Sequence, residues 1–557
     1  MRGRVARVVV FAVLLGSGAL PATAAAQETV TGVEVSQADG FATVSWQPVA
    51  GATDATEYDI ERTPVDSANA PTGPAAVVGV YRANRTIDQN NPTFADAGFD
   101  LGDRYQWRVR VRGTPPGEYS DPVFGTTRPQ WGDLARPGEN LRTQWELTEA
   151  AQFTSDVDEY AYTEALDEAS QRVRVVEIAR TAQGRPVNMF IIGYPSPPRR
   201  AKDVAKEHSV LVNCNVHGNE PSSREACLIM ARQLAFGRDW RTLSILRDAN
   251  VLIVPTINAD GRAANTRGNS TGQDLNRDYS LIRQPETFGF VEMLRDYVPE
   301  AAFDGHEFGN SRAGDLPVLP PRHLNVARSI FDTSRDMIEG WMYGHGSEDG
   351  WWFCPYGCEN GGEVGLSQET ILRNTMGLKS TVGSLLEARS SGGATRPNET
   401  NAPNNRRRKT YSALYTYNQF LDYQHVNERA IERAIKESIK FQRSNRGRIV
   451  FRGSHEIPAY ASPHPGESPP PPERPTPDQI LDPPPCGYML DEAQWSGPLP
   501  EGTTTAGERL EAHGIKVLRA KKRRYYVPMH QPQRGLIPLL LDGQAAEPII
   551  GATRVNC

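Results

Sequence analysis

The chain has 557 residues, and at about 150 residues per domain that suggests three or four units, not one core. Hydrophobic residues make up 38% and charged residues 23%, which excludes both a membrane bundle and a disordered chain. Lys and Arg total 61 against 67 Asp and Glu, a net charge of -6, so the chain lacks the basic excess that phosphate recognition needs and nucleic-acid binding by bulk charge is excluded.

Residues 1–26 read as a secretory signal peptide: Arg2, Arg4 and Arg7 precede an apolar run from Val8 to Leu20, and Ala24, Ala25 and Ala26 offer a small-residue cleavage site. The apolar run is shorter than the ~20 residues a bilayer span needs, and no later stretch reaches ~18 apolar residues. The expectation is a secreted protein with no membrane span after cleavage.

Residues 28–128 alternate apolar and polar positions in short segments separated by turns, the pattern of a half-buried β-sandwich. Val44 and Trp46 share one face, and Tyr105, Trp107, Val109 and Val111 share another with arginines opposite. Trp46, the segment YDIER from Tyr58, and Leu101 four residues before Tyr105 (the spacing of a tyrosine corner) make this region similar to a fibronectin type III domain. Such a domain implies a spacer, with possible contact to a cell surface or polymer.

From residue 141 to 450 apolar strands alternate with helical stretches, which predicts an α/β domain. SVLVNCNV and NVLIVPTI read as buried strands, Glu225 to Leu234 as a helix between them, and Val426 to Phe441 as a helix with Ile431, Ile435 and Ile439 on one stripe. Arg406, Arg407, Arg408 and Lys409, set among Asn, Pro and Thr, read as a solvated loop. The 456–485 segment is Pro-rich, with 12 prolines in the last 28 positions, and predicts an extended linker or surface wrap. Residues 486–557 form a small C-terminal segment, a cap or a unit packed on the preceding domain. There are six cysteines in an exported chain, so pairing is expected. Cys354 with Cys358 could close locally and Cys486 with Cys557 could tie down the tail, but spacing does not settle the connectivity.

The chemistry concentrates in VLVNCNVHGNEPSSREA. Strand alternation puts Asn213, Asn215 and His217 on one side and Cys214 on the other, and the chain then turns at Gly218 with Pro221 suited to a first helical turn. His217 and Glu220 therefore emerge at a strand end, where α/β sheets open their crevices, and they carry donor atoms suited to zinc. Residues 258–279, with three glycines, four asparagines and three arginines, suit a polar loop lining the cleft. Its Arg267 and Arg277 can each donate forked hydrogen bonds to a carboxylate or a carbonyl.

On these residues, from IARTAQGRPVNMFIIG through HGNE, NADG, TRGN and DLNRD to Glu387, the chain resembles the carboxypeptidase A-like zinc metallopeptidases. The resemblance implies a mixed-sheet α/β/α catalytic domain behind the all-β sandwich, and one Zn2+ held by His217, Glu220 and His306. It implies Glu387 as general base, Arg267 polarising the scissile carbonyl, and Asn276 with Arg277 gripping the terminal carboxylate of a peptide or protein substrate. Glu307 points elsewhere than His306, and His323 and His345 are rival imidazoles outside the matching phrase. Tyr343 and Tyr356 are both candidates for the family's active-site tyrosine, and spacing selects neither. The chain has Asn219 where the digestive-type enzymes carry an arginine between the first two ligands. Two other readings remain: a related zinc amidase or endopeptidase acting on cell-wall peptides or acylated amino acids, and a catalytically inert binding or adhesion protein.

Overall fold

The computed structural model describes residues 29–38, 40–53, 55–82, 92–100, 102–127, 141–309, 314–355, 367–391, 396, 402–456, 472–499 and 504–557. The signal-peptide reading, Leu101, Tyr356, Cys358 and the first part of the Pro-rich segment lie outside them.

The N-terminal unit is all β. Strands β1 (Thr31–Ala38), β2 (Phe41–Gln47) and β5 (Thr93–Asp96) form one sheet, ordered β1-β2-β5. Strands β3 (Glu57–Pro64), β4 (Ala76–Arg82), β6 (Arg104–Val111) and β7 (Val123–Thr126) form the other, ordered β4-β3-β6-β7. Strict alternation in β6 buries Tyr105, Trp107, Val109 and Val111 against Val44 and Trp46, while Arg108 and Arg110 pair with Glu61 and Asp59 on the outer face. The unit is joined to the rest of the chain along β5, where Ala95 N donates to Gly350 O at 3.0 Å and Arg396 Nη1 donates to Ala95 O at 2.7 Å. Gly350 has φ +84°, and a Cβ there would lie 2.4 Å from Ala95 N, so the approach requires glycine.

The α/β domain is built on one eight-stranded mixed sheet. Its strands are β8 (Val173–Arg180), β9 (Pro186–Ile192), β10 (Ser209–Cys214), β11 (Asn250–Val254), β12 (Ala301–Phe308), β13 (Leu316–Leu319), β14 (Phe353–Pro355) and β15 (Val382–Arg389). The order is β14-β13-β15-β12-β10-β11-β9-β8. The central strands β11, β10, β12 and β15 are mutually parallel, β9 runs antiparallel to β11 and β8 to β9, and β13 runs antiparallel to β15 but parallel to the edge strand β14. Parallel strands buried on both faces read as continuous apolar runs, and β10 and β11 are buried throughout. Each Val, Leu or Ile there contributes about 1.5–3 kcal/mol of transfer free energy.

One sequence expectation is overturned. Arg406 to Lys409 do not form a solvated loop: they lie in the helix Ala402–Ser444, with Arg407, Arg408 and Lys409 buried. Cations near a helix N-terminus oppose its dipole. Here tertiary acceptors offset that cost: Arg406 donates to Ala150 O, Arg407 to Glu149 O, Arg408 to Arg389 O and Lys409 to Glu307. The stripe Ile431, Ile435 and Ile439 belongs to the same helix, whose backbone departs from helical geometry at Asn427, one residue past the start expected from periodicity.

Past the helix, β16 (Ile449–Val450) pairs with β17 (Ile480–Leu481), so the end of the Pro-rich segment wraps the surface as a strand. The C-terminal unit is a sheet of β18 (Gly487–Leu490), β19 (Leu518–Ala520), β20 (Arg524–Pro528) and β21 (Thr553–Val555), ordered β19-β20-β18-β21. It packs on the α/β domain through His513 Nε2 to Ser280 O and Lys379 Nζ to His513 O, both 2.8 Å. Cys486 is bonded to Cys557 and Cys214 to Cys227, and Cys354 is also in a disulfide. No helix among the described residues is long and apolar enough to cross a membrane.

The disulfide of the C-terminal unit spans 71 positions, and a loop of that length closed in the unfolded chain is worth on the order of 4 kcal/mol. Cys557→Ser is expected to destabilise residues 486–557 ahead of the α/β domain, measured as hydrogen exchange that accelerates there first. A second prediction concerns His208, which bridges Glu300 (2.8 Å) and, on the long helix, Glu428 (2.7 Å). Burial opposes its charge, but Glu300 and Glu428 outweigh burial and raise its pKa above 6.5. Its stabilising contribution is therefore complete below about pH 6.5 and lost as pH rises through the raised value. His208→Ala should lower the melting temperature at pH 6 and leave it nearly unchanged at pH 9.

Candidate metal centre and its surroundings

Because β10, β12 and β15 are parallel neighbours, their C-terminal ends meet at one edge of the sheet. On β12 and β15, His306 stands directly beside Glu387 in register, so the two side chains project from the same face. β10 ends at Cys214, and the expected alternation stops there: Asn215 takes a left-handed backbone (φ 56°), and its Nδ2 donates to His217 O and Glu220 O at 2.8 and 3.1 Å. That clamp closes the His217–Glu220 turn. Gly218 is required in it, since a Cβ would fall 2.0 Å from the Gly261 backbone. Glu220 stands at the N-cap position of the helix Pro221–Phe236, with Pro221 in the first turn as its fixed φ favours, and its carboxylate makes no capping bond but turns to His217 and His306.

His217, Glu220 and His306 converge, their donor atoms all within 4.8 Å of one another. His217 Nδ1 is 2.9 Å from Glu220 Oε1, His306 Nδ1 is 3.1 Å from Glu220 Oε2, and the two Nδ1 atoms are 3.1 Å apart. On the far side of each ring, His217 Nε2 meets Asp274 Oδ1 and His306 Nε2 meets Asp304 Oδ2, both at 3.0 Å. With the ring protons on Nε2 toward those carboxylates, both Nδ1 lone pairs face Glu220. Three acceptors turned on one point are satisfied by a cation. Ligand atoms about a tetrahedral zinc with bonds of about 2.0–2.1 Å stand roughly 3.3 Å apart, so the residues present fit that ion.

Burial opposes the charge of Glu220, but His217 and His306 hold its carboxyl far below the usual range. Burial likewise opposes a charged His306, yet Asp304 and Glu220 hold its pKa well above the ordinary value. Glu387 is pushed far upward by burial and by the charges of Glu220 and Asp304, against His306 and Arg267. A divalent cation in the cluster opposes that upward push.

Around this centre Arg267 is half exposed and bonds Asp274 through Nε and Nη2 at 3.2 and 3.1 Å, with Nη1 3.4 Å from Glu220. Asn276 is buried: its Oδ1 accepts from Leu372 N at 3.0 Å and its Nδ2 lies 3.2 Å from His306 Nε2. Arg277 donates to Asn276 O and forms no ion pair among the described residues. Glu307 turns away to Ser222 N at 2.7 Å and Lys409 Nζ at 2.6 Å. The rival imidazoles lie elsewhere. His323 is buried with Nδ1 accepting from Asn325 N, and His345 stacks on Trp341. Tyr343 is buried beside Phe353, in the core.

The expected polar loop 258–279 is partly helical, since Asn258 caps a short helix, Ala259–Ala264, by accepting from Gly261 N. Asp274 and Asp304 were not singled out from the sequence. For Asp304 a signal existed: in a strand, a residue two before a ligand shares its face.

Residues 159–321, which include His217, Glu220 and His306, match the family model described as zinc carboxypeptidase. Carboxypeptidase 2 of Trichophyton rubrum is 27% identical over 259 residues, covering 43% of this chain and 46% of that protein. Carboxypeptidase SOL1 of Arabidopsis thaliana is 29% identical over 156 residues, covering 26% of this chain and 31% of that protein. A metallo-carboxypeptidase structure from Burkholderia cenocepacia aligns at 15% identity and a TM-score of 0.38, covering 71% of this chain and 96% of that one. The alignments thus span less than half the length of these curated relatives. The converging histidines and carboxylate, taken with the family match and the carboxypeptidase relatives, support the zinc carboxypeptidase family for the α/β domain.

Proposed function

We propose that this chain is an exported zinc metallocarboxypeptidase that hydrolyses C-terminal peptide bonds of peptides or proteins. The observation that carries the reading is the convergence of His217 Nδ1, Glu220 and His306 Nδ1 beside Glu387 and Arg267 at one sheet edge. Zinc, when bound by those three residues, supplies Lewis-acid activation of water and of the scissile carbonyl.

Glu387 is the general base: it takes a proton from the attacking water and delivers it to the leaving amine. Burial, with Glu220 and Asp304, raises its carboxyl well above the ordinary range against His306 and Arg267, and a divalent cation at the neighbouring ligands opposes that rise. Arg267, half exposed, donates to the oxygen that becomes negative. Arg277 grips the terminal carboxylate: it is partly exposed and, among the described residues, donates to Asn276 O and forms no ion pair, which suits the guanidinium to that pairing. Asn276 is the second member of the pair, and its contact with Leu372 N fixes the turn from which Arg277 projects.

The 3-plus-4 strand arrangement of residues 29–127, with Asp100 N donating to the Tyr105 hydroxyl, supports a fibronectin type III-like reading of that unit. The basic and apolar N-terminal run supports export.

Purified protein is expected to carry one zinc per chain, measured by elemental analysis, and to lose peptidase activity with chelator. Glu387→Gln should retain the metal and lose at least ~100-fold in kcat, the scale of one proton-transfer group; wild-type turnover by that variant would remove Glu387 from the mechanism. Arg277→Ala should lower kcat/KM on free-carboxylate peptides by ~10–100-fold, as for a lost charge-assisted hydrogen bond, with no effect on C-terminally amidated ones. Equal losses on both would contradict the gripping role.

A further inference from the structure

Asp304 lies on β12 two residues before His306, so the two side chains share a face of the strand. Its Oδ2 is 3.0 Å from His306 Nε2, and its Oδ1 accepts from Asn213 Nδ2 at 3.0 Å. Asn213 is its direct register partner on β10, so the carboxylate is fixed by the sheet itself. The Asp304 side chain is fully buried, and His306 is its ion partner among the described residues. A fully buried carboxyl needs its oxygens hydrogen-bonded, and here one is committed to the imidazole and the other to Asn213.

The other imidazole is braced differently. Asp274 is partly open to solvent and divides its oxygens among His217, two N–H groups of Arg267 and the backbone N of Asn276. His217 thus leans on a carboxylate shared with Arg267 and partly open to solvent, while His306 leans on a fully buried one shared with Asn213.

We propose that Asp304 is the dominant positioning residue of the metal centre. Held by Asn213, it fixes the His306 ring with Nδ1 toward the ion and strengthens that nitrogen as a ligand, so it governs zinc retention more than Asp274 does. The proposal rests on the metallocarboxypeptidase reading above. Removing a carboxylate that supports a ligating histidine typically costs ~10–100-fold in metal affinity.

The test is a zinc titration of the full chain against a fluorescent chelator, with dissociation rates from chelator chase and cobalt-substituted absorption spectra as a report on ligand geometry. Asp304→Asn is expected to bind zinc ~10–100-fold more weakly than wild type, to release it faster and to shift the cobalt bands. Asp274→Asn should lose less. Asn213→Ala keeps the carboxylate and removes its brace; it should lose affinity by a smaller factor, and it keeps the idea testable if Asp304→Asn does not fold. Wild-type affinity in Asp304→Asn or in Asn213→Ala, or a larger loss in Asp274→Asn, overturns the proposal. A wild-type chain that binds no zinc overturns it together with the metal reading. Zinc-binding protein that cleaves no peptide overturns the peptidase reading alone, and the affinity data still decide the role of Asp304.

Discussion

Three lone-pair acceptors facing one point, two imidazole nitrogens and one carboxylate, are a repulsive arrangement unless a cation sits among them. Much of the α/β domain serves to hold that arrangement still. Parallel pairing of β10, β12 and β15 brings the strand ends together, and the register sets His306 beside Glu387 and Asp304 opposite Asn213. Each ring is locked from behind by an aspartate, and the turn carrying His217 and Glu220 is clamped by Asn215. Little rotamer freedom remains for the ligands to lose on binding an ion, which is how a rigid second layer becomes metal affinity.

Charge burial recurs around this centre. Glu307, next to His306 in sequence, faces the opposite side of β12, where it accepts from Ser222 at the start of the helix Pro221–Phe236 and from Lys409 on the helix Ala402–Ser444. Three elements are tied at one carboxylate one residue away from a metal ligand. Asp315 plays a similar part further out, pairing with Arg389 on β15 and with Arg396, which also donates to the backbone of β5 in the N-terminal unit. Buried pairs of this kind add little net stability against an apolar alternative, because desolvation offsets much of their attraction. They do fix geometry, and in this fold they lie along the strands that carry His306 and Glu387.

Legibility from sequence followed the range of the interaction. Strands buried on both faces, such as Ser209–Cys214 and Asn250–Val254, were evident as apolar runs, and Pro221 marked the start of its helix. Arg406 to Lys409 were misread because a basic run among Asn, Pro and Thr has no local reason to be helical or buried; the acceptors that hold Arg407, Arg408 and Lys409 lie 258, 19 and 102 positions away. The end of β10 was misread for the opposite reason. Asn215 breaks the alternation through a local backbone choice that its side chain stabilises with two hydrogen bonds across the turn, and periodicity does not register such a choice.

By itself the sequence determined which donor atoms were available and in what local phrase: HGNE at a strand end, DGH two residues apart on one strand face, Glu387 near the close of a third apolar run. Those are properties of residue chemistry and of strand and helix periods, which act over a few positions. Only the tertiary structure decided that His217 and His306, 89 positions apart, present the same ring nitrogen to one point. It brought His306, the ligand the resemblance implied, to that point while His323 and His345 lie elsewhere, and it alone made Asp304 buried and left Asp274 partly open to solvent. Those outcomes depend on which strands become neighbours and in what register, and that is set by packing the whole sheet rather than by any one segment of it.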